Sequence, residues 1–134
     1  RRMVMKINVF YGARQYANLS NLAKRPFSLN IKGKKLDFVS VEHGYQTLKN
    51  KTINEGIYKK PWKEGSKFTA PGTYTKDNWN INLMRSLMRR SFEQNPTALA
   101  ALKATGKAEF SHVQDRGIWK TKFPELLKHV RSKL

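Results

Sequence analysis

The chain has 134 residues, of which 39% are hydrophobic and 11% aromatic, and its 27 Lys and Arg against nine Asp and Glu give a net charge of +18. This aromatic content excludes a disordered basic tail, and the length predicts one folded domain over residues 1–134. The chain has no cysteine and only three histidines, which excludes disulfides and cysteine-ligated zinc and leaves the sequence without a metal-binding motif.

The excess of basic residues indicates a polyanionic or phosphorylated partner, with a merely solvated basic surface as the alternative. Because the basic residues are spread from Arg1 to Lys133 without a block of six like charges, the charge does not locate a site. No apolar run approaches the roughly 20 residues of a membrane span, and no signal-peptide core is present. The expectation is a cytoplasmic protein without membrane contact.

The first part of the chain predicts strands and turns. Alternating residues predict a strand over 4–11, and a polar, turn-rich stretch follows over 12–23. Alternation resumes over 26–31, and Lys32-Gly33-Lys34 turns the chain into a further strand over 36–39. Two short strands around a glycine-containing turn predict a β-hairpin.

Helices are predicted to follow the hairpin. Ser40 is a suitable N-cap for a helix over 41–51. Apolar residues at helical spacing predict the longest helix over 79–93, which Asp77 or Asn78 would cap.

Residues 52–76, between these two helices, are irregular and basic. Asn95-Pro96 provides the N-cap and first residue of another helix, which Thr105-Gly106 ends. A short strand is predicted over 109–113, and Pro124 opens an amphipathic C-terminal helix. The predicted class is α+β: a single compact domain, mainly helical, with a small β-sheet.

Glu42 attracts attention because carboxylates are scarce in this chain. One interpretation is an acid at a helix N-terminus, where the helix dipole stabilises it by about 0.3–1 kcal/mol. The other is a carboxylate held in place for acid–base or electrostatic catalysis. Residue pattern alone favours the first interpretation.

Motifs spread over nearly the whole chain resemble the YbiA-like family, also called the NADAR (NAD and ADP-ribose associated) family. In chain order they are Asn8–Tyr11, Leu19–Ala23, Pro26-Phe27, Ser40–His43 with Tyr45, Gln46 and Lys49, Asn78-Trp79, Met84–Phe92, Asn95-Pro96, Leu102, Thr105-Gly106, and His112 with Asp115 and Trp119. Taken together these motifs are fairly specific, although each alone is weak.

The resemblance implies a compact α+β fold and N-glycosidase activity, which cleaves the bond between a ribose anomeric carbon and a nitrogen. Substrates in the family include phosphoribosylamino-pyrimidines of riboflavin synthesis and ADP-ribose attached to guanine in nucleic acid. By matching position, Glu42 is implied as the catalytic carboxylate, which stabilises an oxocarbenium-like transition state or activates water. The residues implied in substrate binding are Asn21, His43, Gln46, Lys49, Trp79, Asp115 and Trp119. No metal and no redox cofactor is implied.

Several of these residues also have a structural interpretation. Trp79 could stack on a base or simply pack in the core. Lys49 could hold a phosphate or lie on a solvated helix face. Asn21 could bind ribose, or its side chain could hydrogen-bond the backbone of its own turn. Asp115 could bind the substrate or pair with Arg116 or a lysine. For His112 the favoured interpretation is a packed side chain rather than a proton shuttle.

The chain departs from the family pattern near its C-terminus. Asp115 lies one position further from Trp119 than usual, Lys120 replaces a glycine, and the glycine-rich loop that usually follows is missing. Lys76 stands where an arginine is usual.

Three functions remain open. The favoured one is an N-glycosidase acting on a phosphorylated N-riboside or an ADP-ribosyl adduct, free or on nucleic acid. The first alternative is a non-catalytic nucleic-acid or ADP-ribose binding module on the same fold. The second is a hydrolase of a riboflavin-biosynthesis intermediate.

Overall fold

A computed structural model describes residues 5–13, 15–61, 78–115 and 117–134. Short 3-10 turns lie at Ala17–Leu19 and Lys49–Lys51. The remaining elements in chain order are β1 (Lys6–Asn8), β2 (Phe27–Ile31), β3 (Lys34–Phe38), α1 (Val41–Leu48), α2 (Glu55–Tyr58), α3 (Trp79–Glu93), α4 (Pro96–Ala104), β4 (Glu109–Ser111) and α5 (Trp119–Lys133). Helices outweigh strands, which confirms the predicted α+β class.

The predicted hairpin is confirmed. β2 and β3 pair antiparallel, with Phe27 opposite Phe38 and Ile31 opposite Lys34. Lys32 and Gly33 form the turn with φ angles of 52° and 78°. Positive φ at both central residues matches the right-handed twist of the flanking strands, which is why a glycine stands here.

The predicted small sheet consists, among the described residues, of two separate strand pairs. Besides the hairpin, β1 and β4 pair in parallel, from Lys6 opposite Glu109 to Asn8 opposite Ser111. Both strands are shorter than predicted. The chain turns after Val9, where the N–H of Ala13 bonds the carbonyl of Phe10 at 3.1 Å.

α1 begins as predicted, because the Ser40 hydroxyl accepts a hydrogen bond from the N–H of His43 at 3.1 Å. It ends at Leu48 rather than at 51. Asn50 leaves the helix with φ 62° and exchanges two hydrogen bonds with Asn80 of α3, each 2.8 Å long. This contact with a distant residue outweighs continuation of the helix.

The described part of the segment predicted to be irregular, residues 52–61, contains the short helix α2, so this prediction was wrong for residues 55–58. Its first residue is preceded by Asn54, whose side chain accepts from the N–H of Ile57 and caps the turn. Residues 62–76, including Lys76, and the candidate cap Asp77 lie outside the described residues.

α3 has its predicted bounds, but Asn78 does not cap it: that residue has φ 61° and its side chain makes no cap hydrogen bond. α4 begins at Pro96 as predicted. The Asn95 side chain instead donates to the carbonyls of Pro26 and Ser91, at 2.8 and 2.7 Å. It therefore joins α3 to the start of the hairpin rather than capping α4.

α5 begins at Trp119, so the prediction that Pro124 opens it was wrong. Proline within a helix removes the hydrogen bond to the carbonyl four residues earlier, here that of Lys120. Backbone bonds from residues 120–122 to the carbonyls of Gly117 and Ile118 fix the first turn. Burial of Phe123 in this turn supports the early start.

α3 lies at the centre of the hydrophobic core, since it packs against α1, α4 and α5. Its buried side chains on the core side are Ile81, Met84, Leu87, Met88 and Phe92. In the described part of the chain, no helix combines the length and apolar character needed to cross a membrane.

Candidate active site

A cleft of about 450 Å³ opens between α1, the turn that precedes the hairpin, and the segment that joins β4 to α5. This volume is in the range of small-molecule binding sites. The described residues that line it are Phe10, Tyr11, Ser20, Asn21, Leu22, Glu42, Tyr45, Gln46, Met84, His112, Gln114, Asp115, Trp119 and Phe123. We call the α1 residues and the 20–22 turn the helix wall, and the lining residues His112, Gln114, Asp115 and Trp119 the loop wall.

Glu42 lies in the first turn of α1 and lines the cleft. Its backbone N–H donates to the carbonyl of Asn21 at 3.0 Å, which fastens the helix start to the 20–22 turn. Its Oε1 accepts a hydrogen bond from Nε2 of Gln46, one helical turn later, at 3.0 Å. The carboxylate is thus oriented by its own helix, at the end where the helix dipole favours negative charge.

Asn21 lines the same cleft, and the oxygen of its side-chain amide is unsatisfied. Its Nδ2 lies 3.4 Å from the sulfur of Met84, while its Oδ1 is buried and has no hydrogen-bond partner. The local turn is satisfied by Ser20 instead, whose hydroxyl accepts from the N–H of Leu22. A buried unpaired acceptor costs about 1–3 kcal/mol.

The 20–22 turn is held from behind by Arg25, which is 1% exposed. Its Nη1 donates to the carbonyls of Asn18 and Ser20 at 2.8 and 2.7 Å, and its Nε donates to the hydroxyl of Ser91 at 3.2 Å. The guanidinium also lies 4.2 Å from the centre of the Phe92 ring. Burial lowers the pKa of Arg25 to about 9. Nothing in the sequence distinguishes this arginine among 27 basic residues.

His112 and Asp115 are titratable residues of the loop wall. Nδ1 of His112 donates to the carbonyl of Val9 at 2.8 Å, and its Nε2 lies 3.8 Å from Oδ2 of Asp115. Oδ1 of Asp115 accepts from the N–H of Gly117 at 2.9 Å. His112 also packs on Phe123, with ring centres 5.0 Å apart. It is therefore both a packed side chain, as the sequence favoured, and part of the cleft wall.

Tyr45 and Trp119 connect the two walls. Tyr45 belongs to α1 and Trp119 is the first residue of α5, and their rings meet edge to face with centres 5.4 Å apart. Asp115 and Trp119 both line the cleft, although Asp115 lies one position further from Trp119 than is usual in the family motif.

His43 faces away from the cleft. It is 4% exposed, its Nδ1 accepts from the N–H of Val39, and its Nε2 donates to the carbonyl of Tyr58, both at 3.1 Å. Its ring stacks on that of Tyr58. Burial lowers the pKa of His43, against a smaller opposing effect of the bond to Tyr58. Among the described residues it supports α1 from behind rather than lining the site.

Lys49 and Trp79 also lie outside the described lining of the cleft. Lys49 stands at the C-terminal end of α1 and Trp79 at the start of α3. The described lining contains two carboxylates and neither Lys nor Arg. Of the predicted site residues, the structure therefore brings together Asn21, Glu42, Gln46, Asp115 and Trp119.

The sequence did not single out several other lining residues, among them Tyr11 and Gln114. Both follow short strands, where no periodic pattern indicates which side chain faces a cavity. Met84 was part of a family-like motif but gave no sign that its sulfur would meet Asn21. Within the ranges that the structure describes, no three His, Asp or Glu side chains are grouped closely enough to bind a metal ion.

No protein-family model matches the sequence, and no curated protein matches it either. The fold is similar to the NMR structure of the E. coli protein YbiA, with a TM-score of 0.67 and 23% sequence identity. The similarity covers 98% of this chain and 86% of the YbiA chain. The chain therefore has a YbiA-like fold, as its motifs predict.

Proposed function

We propose that this protein is an N-glycosidase that hydrolyses a ribose C1–N bond in a phosphorylated N-riboside or an ADP-ribosyl adduct. The observation that carries the proposal is the position of Glu42, which lines the cleft and is held by Gln46. The unsatisfied oxygen of Asn21 lies in the same helix wall. The YbiA-like fold supports the proposal, as does the position of five of the residues implied by the family resemblance, which line this cleft: Asn21, Glu42, Gln46, Asp115 and Trp119.

In the reaction, the C1–N bond breaks and its electron pair leaves with the nitrogen. Positive charge develops on C1 and the ring oxygen, and a nearby carboxylate lowers the energy of this state. Water then bonds to C1 and gives a proton to Glu42. The products are the ribose with a C1 hydroxyl and, after protonation, the free base or amine.

The other cleft residues position the substrate. Asn21 lines the cleft beside Glu42, where its side chain can contact the ribose. Trp119 and Tyr45 provide aromatic surface for a base or for the sugar, and base–aromatic stacking contributes about 1–3 kcal/mol.

Phosphate groups of the substrate are expected to meet basic residues beside the cleft. Exposed basic residues follow both walls in the chain: Lys24 comes two residues after Leu22, and Lys120 directly follows Trp119. With a net charge of +18, the protein attracts phosphorylated ligands over distance. Nucleic acid is therefore retained in the proposal as a carrier of the substrate.

The test compares wild type with Glu42→Gln on ADP-ribosylated guanine DNA and on a phosphoribosylamino-pyrimidine, with released base and sugar measured by mass spectrometry. Glu42→Gln should lower kcat by about 10²–10⁴-fold, the usual contribution of a positioned acid–base group. Glu93→Gln is the matched control, because Glu93 is exposed on α3 and pairs with Arg89 at 3.6 Å. It should retain activity.

The faster substrate identifies the class. For DNA, binding should weaken with salt with a slope of about −0.9 per phosphate contacted. If folded wild type releases nothing from either substrate but still binds ADP-ribose or DNA, the protein is a binding module and the enzyme proposal is wrong.

A further inference from the structure

We propose that His112 is the general acid that protonates the leaving nitrogen, with Asp115 as its positioning partner. This inference rests on the proposed function. It assigns a separate chemical task to the loop wall, where the sequence favoured a packed histidine.

A nitrogen that leaves ribose with an electron pair is a poor leaving group unless it gains a proton. Glu42 on the helix wall acts at C1, where it stabilises positive charge or accepts a proton from water. A proton donor is therefore needed on another side of the cleft. Tyr11, Tyr45, His112 and Asp115 are the other titratable groups that line its described part.

The hydrogen bond to the Val9 carbonyl determines which nitrogen of His112 can donate a proton to the leaving group. A carbonyl oxygen only accepts hydrogen bonds, so the 2.8 Å contact requires the proton on Nδ1. In the neutral ring Nε2 then has a lone pair, and the proton gained on ionisation resides on Nε2. The exchangeable proton is thereby confined to the nitrogen on the side of Asp115.

Asp115 faces the nitrogen of His112 that carries the exchangeable proton. The 3.8 Å between Nε2 and Oδ2 is within reach of an ion pair but longer than a hydrogen bond. Oδ1 is bound to the N–H of Gly117, which fixes the carboxylate in the loop. The Nε2–H of the charged ring is therefore available to a ligand atom in the cleft.

In the proposed step, the Nε2–H bond of the His112 imidazolium breaks and its proton forms the new N–H bond of the leaving base. The electron pair of the C1–N bond moves to that nitrogen. His112 becomes neutral. Water adds to C1 and its proton passes to Glu42. Glu42 then releases its proton to solvent and His112 takes up a proton from solvent, so no further reactant is needed.

The test uses His112→Asn, because an asparagine amide can occupy the place of Nδ1–H and keep the bond to Val9 while the acid is lost. We expect kcat to fall by about 100-fold or more, as for loss of a general acid, with KM within about threefold. The alkaline limb of the wild-type pH profile of kcat should disappear. Asp115→Asn should cause a smaller loss of kcat, since the ring loses the carboxylate that positions it.

His112→Gln is the second variant, because it removes the acid as well but gives up the Val9 bond. It keeps the experiment decisive if the asparagine variant does not fold. The proposal is overturned if kcat stays within about threefold of wild type, or if kcat falls while the alkaline limb is retained, which is the behaviour of a structural residue.

These outcomes differ from failure of the proposed function, in which wild type itself releases no base. An active wild type that depends on Glu42 but not on His112 would refute only the assignment of the acid.

Discussion

The two walls of the cleft are held in different ways. The helix wall is fastened to the core: Ser40 caps α1, the N–H of Glu42 bonds Asn21, and Arg25 holds the 20–22 turn against α3. The loop wall is held by polar contacts within itself and with the end of β1, such as those of Asp115 with Gly117 and of His112 with Val9. Loss of a helix-wall contact should therefore reduce stability, whereas loss of a loop-wall contact should change chemistry or affinity.

Two of the three histidines, His43 and His112, show the same difference on a smaller scale. His43 supports the helix wall, and both of its nitrogens bond the backbone, so the neutral ring is satisfied. His112 in the loop wall commits one nitrogen to Val9 and turns the other toward Asp115. The first arrangement suits a residue that must not ionise, and the second suits one that exchanges a proton.

Arg25→Lys should give the largest loss of stability. Lysine cannot reach both carbonyls and the Ser91 hydroxyl from one planar group, and each hydrogen bond to a charged group contributes about 1.5–3 kcal/mol. We expect the free energy of unfolding in urea to fall by about 2–4 kcal/mol. Arg90→Lys, at an exposed position of α3, is the control and should change little. A loss as small as that of the control would show that the helix wall does not depend on Arg25.

Trp119→Ala should mainly raise KM. The variant removes the ring that meets Tyr45 across the cleft, and loss of stacking at about 1–3 kcal/mol corresponds to roughly 5–150-fold in binding. Trp119→Phe should recover much of the affinity because it keeps an aromatic face. Steady-state kinetics give KM and kcat separately. An unchanged KM would mean that the ring closes the cleft without touching the substrate.

Ser40→Ala should destabilise the protein by about 1 kcal/mol, the usual value of an N-cap. The hydroxyl that accepts from the N–H of His43 is lost, and the start of α1 with Glu42 is weakened. Thermal or urea unfolding measures the change. Thr97→Ala, at an exposed position of α4, is the control. Equal stability of the two variants would contradict the role of the cap.

The pH dependence of stability should show the neutral state of His43. Its pKa in the folded protein lies below the ordinary value of 6.5, because burial disfavours the charged ring. The unfolded chain therefore binds this proton first, so the contribution is complete above about pH 6.5 and is lost as the pH falls toward the folded pKa. One proton limits the slope to about 1.4 kcal/mol per pH unit.

Urea unfolding of wild type and His43→Gln across this range measures the difference. The variant should lose this part of the pH dependence, whereas His129→Gln, at an exposed position, should keep it. Parallel curves for wild type and His43→Gln would contradict the assignment.

Local signals in the sequence predicted much of the fold. The Ser40 cap, the Lys32-Gly33 turn and the start of α4 at Pro96 each depend on neighbouring residues, and all are present. The predictions failed where distant contacts decide. Asn80 ends α1 by bonding Asn50, and α5 starts before Pro124.

The same distinction applies to the site. Glu42 and Gln46 form a local pair at helical spacing and lie together as their motif implied. His43 adjoins Glu42 in sequence, but successive side chains point about 100° apart on a helix, and its ring enters the core. Met84 meets the 20–22 turn only through folding, so no pattern could have indicated it. Arg25 is close to the turn in the chain, but no pattern distinguishes it among the 27 basic residues.

The parallel pairing of β1 and β4 has a consequence for how the site is assembled. Hydrogen-bonded Asn8 and Ser111 are 103 residues apart in the chain, whereas Asn21 and Glu42, which connect the helix wall, are far closer in sequence. Loop closure over the longer span costs about 1.4 kcal/mol more in chain entropy. During synthesis the helix wall can form while residues 109–119 are still unmade. Ligand binding in the cleft is therefore a measure of chains in which β1 and β4 have already paired.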